Sequence, residues 1–314
     1  MIACVFPGQG SQYIGMGKEF YEHFEYVKDL FIKSEEVTGL PVRKLCFEGP
    51  MEELTQTENL QVCLTVVNIA CFNVLLNEVL DGNKSLISFV AGHSLGEYSA
   101  LFAAEVLSLE EVLSAVKLRG KVMQEAAEKN PSGMYAIIGI SKDELEKIIQ
   151  QVNGLIVIAN FNSPKQLVVS GEVSALEELA KKVKELGAKA VKLKVNAGFH
   201  SPFMKEAEDK LASYLESFSW KNPRIPVVTN VSGRAEIEGK KLKELMKSQI
   251  TSSVKWTDCV QFMFQQGVKT FIEVGPKKVL CGLITQTLEN QTFNCFNLEN
   301  LETLQALKLG LQNT

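Results

Sequence analysis

Histidine is scarce in this 314-residue chain, with three in all, so chemistry that needs an imidazole has three places to find one. Runs of positive charge are absent too. With 33 Lys and Arg against 37 Asp and Glu, the formal net charge is -4, which argues against nucleic acid as the main partner because phosphate binding needs clustered cations. Lys181, Lys182, Lys184, Lys189, Lys192 and Lys194 read as a solvated helix edge, with a local cationic face as the alternative. Cys4, Cys46, Cys63, Cys71, Cys259, Cys281 and Cys295 are scattered singly, and no two have the spacing of a metal clip or redox pair. They read as small buried apolar residues in a reducing cytosol. No apolar run is read as reaching the length of a membrane span, and the chain opens directly on strand-like Ile2-Ala3-Cys4-Val5-Phe6 without a charged leader. Neither secretion nor membrane insertion is expected.

What is present is ordinary globular material, 46% hydrophobic and 22% charged, in a chain long enough to bury a large core. Helical periodicity alternates with short β-rich runs, which predicts an α/β fold with a mainly parallel sheet. Ile87 to Ala91 reads as a buried strand, Gly92 to Gly96 as a sharp turn, and Glu97 to Ala104 as a small-residue helix. Between Gly133 and Val195 the order changes. Strands at Met134 to Ile140, Leu155 to Ala159, Gln166 to Ser170 and Ala190 to Val195 alternate with helices at Asp143 to Gln151, capped by Ser141, and Ala175 to Leu186. That β-α-β-β-α-β order marks a ferredoxin-like unit. The expected division is a large domain over 1–124 and 197–314 with a ferredoxin-like subdomain over 125–196, and a ligand cleft at their junction. Strand Ile225 to Val228, helices Lys240 to Ser248 and Trp256 to Gln266, and strand Thr270 to Val274 return the chain to the large domain.

Gly92-His93-Ser94-Leu95-Gly96 matches G-x-S-x-G, in which small glycines let a strained strand-to-helix turn hold a serine hydroxyl clear of its neighbours. The pattern is weak alone, and the strand before it with the helix after it strengthens it. A serine needs a base. His23 lies in an amphipathic stretch with Tyr21, Phe24 and Tyr26 and reads as a surface or packing residue, while His93 adjoins Ser94 and points to the other side, bracing the turn. His200 remains, in the Gly- and Pro-marked loop Ala197-Gly198-Phe199-His200-Ser201-Pro202, with base and core histidine both open as readings. The loop Phe6-Pro7-Gly8-Gln9-Gly10-Ser11-Gln12 lacks the Lys-Ser/Thr ending of a nucleotide-binding loop, so a backbone donor to an oxyanion is its better function.

Taken together, Val5 to Gln12, Gly92-His93-Ser94-Leu95-Gly96-Glu97-Tyr98, Leu118-Arg119-Gly120, Asn160-Phe161-Asn162-Ser163-Pro164 and Glu273-Val274-Gly275-Pro276 resemble the malonyl-CoA:acyl carrier protein transacylase family, with matching order over essentially the whole chain. That family includes the fatty-acid enzyme and discrete acyltransferases serving polyketide synthases. The resemblance implies an α/β-hydrolase-like large domain with the ferredoxin-like insertion, Ser94 as nucleophile, His200 as general base, and backbone N–H groups of Gln9 and Leu95 as the oxyanion hole. It places a main-chain carbonyl behind the histidine, in the stretch occupied by Gln249, and makes Arg119 the carboxylate clamp that separates malonyl from acetyl thioesters. Composition alone would leave Arg119, between Lys117 and Lys121, as a solvated helix residue.

The implied reaction is transfer of malonyl from malonyl-CoA to the phosphopantetheine thiol of an acyl carrier protein, with no bound cofactor or metal, by a cytoplasmic monomer. Phe199 would crowd a branch at the α-carbon, although Gly198 stands where malonyl-type polyketide members usually have alanine, and the lost methyl is expected to loosen the pocket toward methylmalonyl. An acyl hydrolase that edits misloaded carrier proteins and a catalytically idle docking subunit are the competing readings.

Overall fold

The structure, a computed structural model, describes residues 1–312. A large sheet runs in the order β10 (Asn294–Leu298), β9 (Thr270–Val274), β1 (Ile2–Phe6), β2 (Ile87–Gly92), β7 (Val227–Val228) and β8 (Ala235–Glu236), parallel except between the last two. β1, β2 and β9 are buried almost throughout because helices cover both faces of the sheet, as parallel strands require. β1 and β2 finish level, with Phe6 paired to Gly92, so the loops that follow them leave the carboxyl edge side by side. Ligands of open α/β sheets bind at that edge.

The Thr57–Glu78 helix corrects one expectation. By length and composition it is apolar enough to cross a membrane, yet 83% of its most apolar window is buried inside the protein. It is apolar all round because protein surrounds it. Within this helix Gln61, Thr65 and Asn68 are buried polar residues with partners.

The second sheet, in the order β4 (Ile156–Ser163), β5 (Gln166–Gly171), β3 (Gly133–Ile138) and β6 (Lys189–Lys192), is antiparallel throughout. Helices Lys142–Ile149 and Val173–Glu185 close one face over a separate core that includes Ile137, Leu145, Val169, Leu176 and Val183. Ser141 caps the first of these helices in a reciprocal box with Glu144. The β-α-β-β-α-β order is the one expected, but several boundaries move: β3 ends at Ile138 and not Ile140, and the first helix at Ile149 and not Gln151. The division at 124/125 falls inside the Leu109–Lys129 helix, and the chain enters the small sheet only at Gly133. β4 continues past Ala159 to Ser163 because Val254 bonds to both Ala159 and Phe161 and stitches this strand to the large unit. β6 ends at Lys192, and Leu193 and Val195 turn into the cleft instead.

A further correction concerns cysteine. Cys281, on the Val279–Thr287 helix, and Cys295, on β10, form a disulfide with their Cα atoms 5.8 Å apart. Helix and strand pack as neighbours in space, which a 14-residue separation along the chain does not reveal. Cys4, Cys46, Cys63, Cys71 and Cys259 are buried thiols, as expected.

The helix Gly96–Ala103 sits hard against the ends of β1 and β2. A β-carbon at Gly92 would strike the Gly96 backbone, and one at Gly96 would strike the Phe6 carbonyl. Gly96→Ala should therefore destabilise the fold by about 3 kcal/mol, since overpacking against rigid backbone has no side chain to yield. Denaturant unfolding measures it, and a loss below about 1 kcal/mol would mean that the helix is not seated this closely.

Candidate active site

Ser94 occupies the turn between β2 and the Gly96–Ala103 helix with φ 51°, a left-handed conformation that a serine adopts only under constraint. The constraint is visible. His93 N–H donates to the Phe6 carbonyl at 3.0 Å, Ser94 N–H donates to Asn230 Oδ1 at 2.7 Å, and Asn230 Nδ2 donates to the Gly92 carbonyl at 2.7 Å. The turn thus lifts the Ser94 hydroxyl into a cavity of about 120 Å³ lined also by Gln9, Leu95, Arg119, Phe199 and His200. His93 also lines this cavity, so it does not lie wholly on the other side as its neighbour position suggests; its Nε2 lies 2.7 Å from Asn162 Oδ1 and its ring meets Trp256, which braces the turn. His23 is exposed at the end of the short Lys18–His23 helix, which breaks at Phe24.

His200 comes from the loop after β6, also in a left-handed conformation, φ 55°. Ser94 Oγ and His200 Nε2 are 2.7 Å apart. On the far side of the ring, Nδ1 faces two carbonyls, Gln249 at 3.1 Å and Ser252 at 3.0 Å. Carbonyls only accept, so Nδ1 carries the proton and Nε2 presents its lone pair to the hydroxyl. Burial, followed by the Arg119 charge, pushes the imidazole down from 6.5 to about 3.

Arg119 is 1% exposed, so the solvated-helix reading does not hold. The reason is its neighbour: a β-carbon at Gly120 would meet Glu58 Cα and the Thr57 carbonyl at 2.8 Å, and its absence lets the Leu109–Lys129 and Thr57–Glu78 helices approach closely. Arg119 Nη1 donates to Gln61 Oε1 at 2.8 Å, and Nη2 donates to Gln249 Oε1 at 3.1 Å and to Ser94 Oγ at 3.2 Å. Its Nε is buried with no acceptor, and the guanidinium lies 5.8 Å from the Tyr98 ring centre.

Two backbone donors line the same cavity. Among the described residues, neither Gln9 N–H nor Leu95 N–H has a protein acceptor. The Gln9 loop is held from below, where Asn68 Nδ2 donates to the Pro7 carbonyl at 3.0 Å and Ser11 Oγ donates to the Gly8 carbonyl at 2.8 Å. Met123, Met134, Leu193 and Phe199 supply the apolar wall. The expectation for Gly198 is corrected: a methyl there would point at Phe203 and Ser132, 2.8 and 3.1 Å away, and not into this cavity. Its absence therefore makes room for Phe203, not for a branched acyl group. A wider groove of about 830 Å³ shares Gln9, Leu193, Val195 and Phe199 with the small cavity and runs between the Gln9 loop, the Leu109–Lys129 helix and the segment that follows β6.

Ser94, His200, Arg119, Gln9, Leu95, Phe199 and Gln249, all expected from the sequence, lie around this cavity or on its supports. Glu97, Gln61, Asn230 and Ser252 join them without having been expected. Glu97 follows the G-x-S-x-G turn directly and Gln61 is a polar residue in a largely apolar helix, so both leave a trace in the sequence; Asn230 and Ser252 leave none. Among the described residues no group of three or more His, Cys, Asp or Glu side chains is placed to hold a metal ion.

The acyl transferase domain family matches residues 3–306. A malonyl CoA-acyl carrier protein transacylase of Bacillus subtilis (strain 168) is 39% identical over 308 residues, 97% of this chain and 95% of that one. The crystal structure of a malonyl CoA-acyl carrier protein transacylase from Clostridium perfringens superposes with a TM-score of 0.93 at 37% identity, covering 99% of this chain and 97% of the other. A malonyl-transacylase solved in complex with its holo type II polyketide synthase acyl-carrier protein superposes equally well, with a TM-score of 0.93 at 35% identity over 100% of this chain and 99% of that one. With an acyltransferase elbow at its centre and relatives matched end to end, this chain belongs to the malonyl CoA-acyl carrier protein transacylase family.

Proposed function

We propose that this protein moves a malonyl group from malonyl-CoA to the phosphopantetheine thiol of an acyl carrier protein through an ester on Ser94. The observation that carries the choice of substrate is Arg119, a buried cation whose Nη2 is 3.2 Å from the Ser94 hydroxyl and whose Nε lacks an acceptor. One methylene separates the two carbonyl carbons of a malonyl group. A thioester carbon poised at Ser94 Oγ therefore sets the free carboxylate beside the guanidinium, which grips it with two parallel hydrogen bonds.

Ser94 Oγ attacks the thioester carbon as His200 Nε2 takes its proton, while the Gln249 and Ser252 carbonyls hold Nδ1–H and steady the imidazolium. The oxyanion forms between the unengaged N–H groups of Gln9 and Leu95. The intermediate collapses, the C–S bond breaks, and the departing sulfur of coenzyme A takes the proton from His200. The carrier protein's thiol then enters by the same route: His200 removes its proton, sulfur attacks the ester, and Ser94 leaves with the proton. The adjoining groove, about 830 Å³, is large enough for the pantetheine arm that both donors share. Phe199 fills the wall where an α-branch would lie, which favours malonyl over methylmalonyl. The reading is completed by a cytoplasmic monomer working in fatty-acid or polyketide synthesis with no bound cofactor, its partners a coenzyme A thioester and a holo acyl carrier protein.

Incubation with labelled malonyl-CoA and acid quench should trap one labelled ester per chain, and Ser94→Ala should abolish it; label retained on that variant would overturn the nucleophile. Transfer to holo carrier protein should outrun release of free malonate, and the reverse order would select the editing hydrolase.

Arg119→Ala should lower kcat/KM for malonyl-CoA by about 1,000-fold, the loss of two charge-assisted hydrogen bonds, while acetyl-CoA changes by less than about tenfold. Equal losses for both would remove the carboxylate clamp.

The imidazole of His200 should stay neutral, its proton on Nδ1, from pH 8 down to about 5 in a nitrogen-correlated NMR titration, because its folded value of about 3 lies below the ordinary 6.5. As pH falls from 6.5 toward 3 the unfolded chain takes a proton here that the folded chain refuses, so this group's contribution to stability is lost. A titration midpoint near 6.5 would mean that burial and the Arg119 charge do not act on the ring.

A further inference from the structure

The proposed chemistry gives Glu97 no step, although its side chain is 1% exposed and lies one helical turn beyond the nucleophile. A buried carboxylate needs donors, and the two that Glu97 has are unusual in what else they hold. Its Oε1 accepts from the Asn230 backbone N–H at 2.9 Å, and the Asn230 side chain clamps the elbow from Gly92 O to Ser94 N. Its Oε2 accepts from Gln249 Nε2 at 2.5 Å.

Gln249 is tied to the site at several further points. The same Nε2 donates to the Ser94 carbonyl at 2.8 Å, Oε1 accepts from Arg119 at 3.1 Å, and the main-chain carbonyl receives His200 Nδ1–H. The elbow, the base and the guanidinium therefore converge on two residues, and both are gripped by one carboxylate. Glu97 does not use its oxygens on Arg119 directly; it reaches that cation through the Gln249 amide.

We propose that Glu97 is a positioning residue for acyl transfer, which fixes the orientation of the Gln249 amide and of Asn230 and so sets the Ser94 hydroxyl, the His200 ring and the Arg119 guanidinium in register. The chemistry of the site requires a group with two acceptors. The Asn230 donor is backbone and cannot turn, and the Gln249 amide is oriented by Arg119 on its oxygen and by the Ser94 carbonyl on its nitrogen. An amide at position 97 sets N–H against N–H at one of the two contacts. Relief by flipping Gln249 then turns its NH₂ toward the guanidinium and its oxygen toward the Ser94 carbonyl, which costs two further bonds. Burial outweighs the pull of the Gln249 and Asn230 donors and of the Arg119 charge and leaves the carboxyl raised to about 7, so the ionised form depends on keeping these same contacts.

The inference rests on Ser94 acylation as read above, so its test has an arm free of malonyl. A fluorophosphonate, which phosphonylates an activated serine with loss of fluoride, is timed on the wild type, Glu97→Gln, Gln249→Leu and the double variant. Ester formation from malonyl-CoA is timed in single turnovers on the same proteins. Glu97→Gln should slow both reactions by about thirtyfold, the worth of one hydrogen bond to a charged group, with KM for malonyl-CoA moved less than about threefold. The double variant should lose clearly less than the product of the two single losses, because part of what Glu97 does passes through Gln249 and the remainder through Asn230. Glu97→Asp, which keeps the charge one methylene short of its donors, should show the same slowing and supplies the comparison if the amide variant does not fold. Probe and malonyl rates within about threefold of wild type in a folded position-97 variant, or losses that multiply in the double variant, would overturn the role. A wild-type Ser94 inert to the probe would instead remove the nucleophile itself, and with it this inference.

Discussion

A guanidinium keeps its charge wherever the fold puts it, and here the fold puts it in the wall of a cavity with 1% of Arg119 exposed. Removing an ion from water costs several kcal/mol that only well-placed acceptors recover. Gln61 and Gln249 supply neutral acceptors from opposite sides, and the Tyr98 ring supplies a face. No carboxylate takes a direct contact with Arg119 among its hydrogen bonds, so the charge is held without being cancelled. That choice reaches every other group in the cavity. It depresses the His200 imidazole beyond what burial does, it sits on the Ser94 oxygen, and its Nε keeps no acceptor, which on the proposed reading a substrate carboxylate supplies.

Ser94 depends on a second constraint, which is steric. Gly92 and Gly96 allow backbone to lie on backbone at the carboxyl edge of β1 and β2, and the turn forced between them gives Ser94 its left-handed conformation. The same edge delivers the Gln9 loop, since β1 and β2 end level. Strained residues persist only where their surroundings over-determine them, and Ser94 is fixed through N, O and Oγ by Asn230, Gln249 and His200.

The parts of this arrangement that were legible in the sequence are those that local physics writes into neighbouring positions. A strand, a G-x-S-x-G turn and a small-residue helix are local, and so is the Ser141 cap. Arg119 became readable only through its resemblance to a family position, because its burial is caused by Gly120 against Thr57 and Glu58, some sixty residues away. Asn230 and Ser252 were silent, since an asparagine in a loop looks alike whether or not it clamps an elbow 136 residues earlier. The Cys281–Cys295 bridge failed for the same reason, being a matter of helix against strand and not of spacing. The Thr57–Glu78 helix misled in the other direction: its composition suits lipid, and only the protein packed around it decides that the solvent is a core.

On the proposed reading, the position of Arg119 also bears on water. In the free protein its Nη2–H donates to the Ser94 oxygen, and the serine hydroxyl donates in turn to His200. A hydroxyl that accepts from a cation has less electron density to offer a carbonyl carbon. A substrate carboxylate competes for that guanidinium with a full charge where serine has only a lone pair, so the arriving acid draws the donor off the nucleophile and leaves the His200 contact intact. A neutral acyl group cannot. The same exchange reverses when the acyl group departs, since Arg119 then finds Ser94 again before another anion enters. Selectivity for a charged acyl group and restraint of the idle nucleophile thus follow from one cation, 3.2 Å from one oxygen, in a cavity of about 120 Å³ that has little space for anything else.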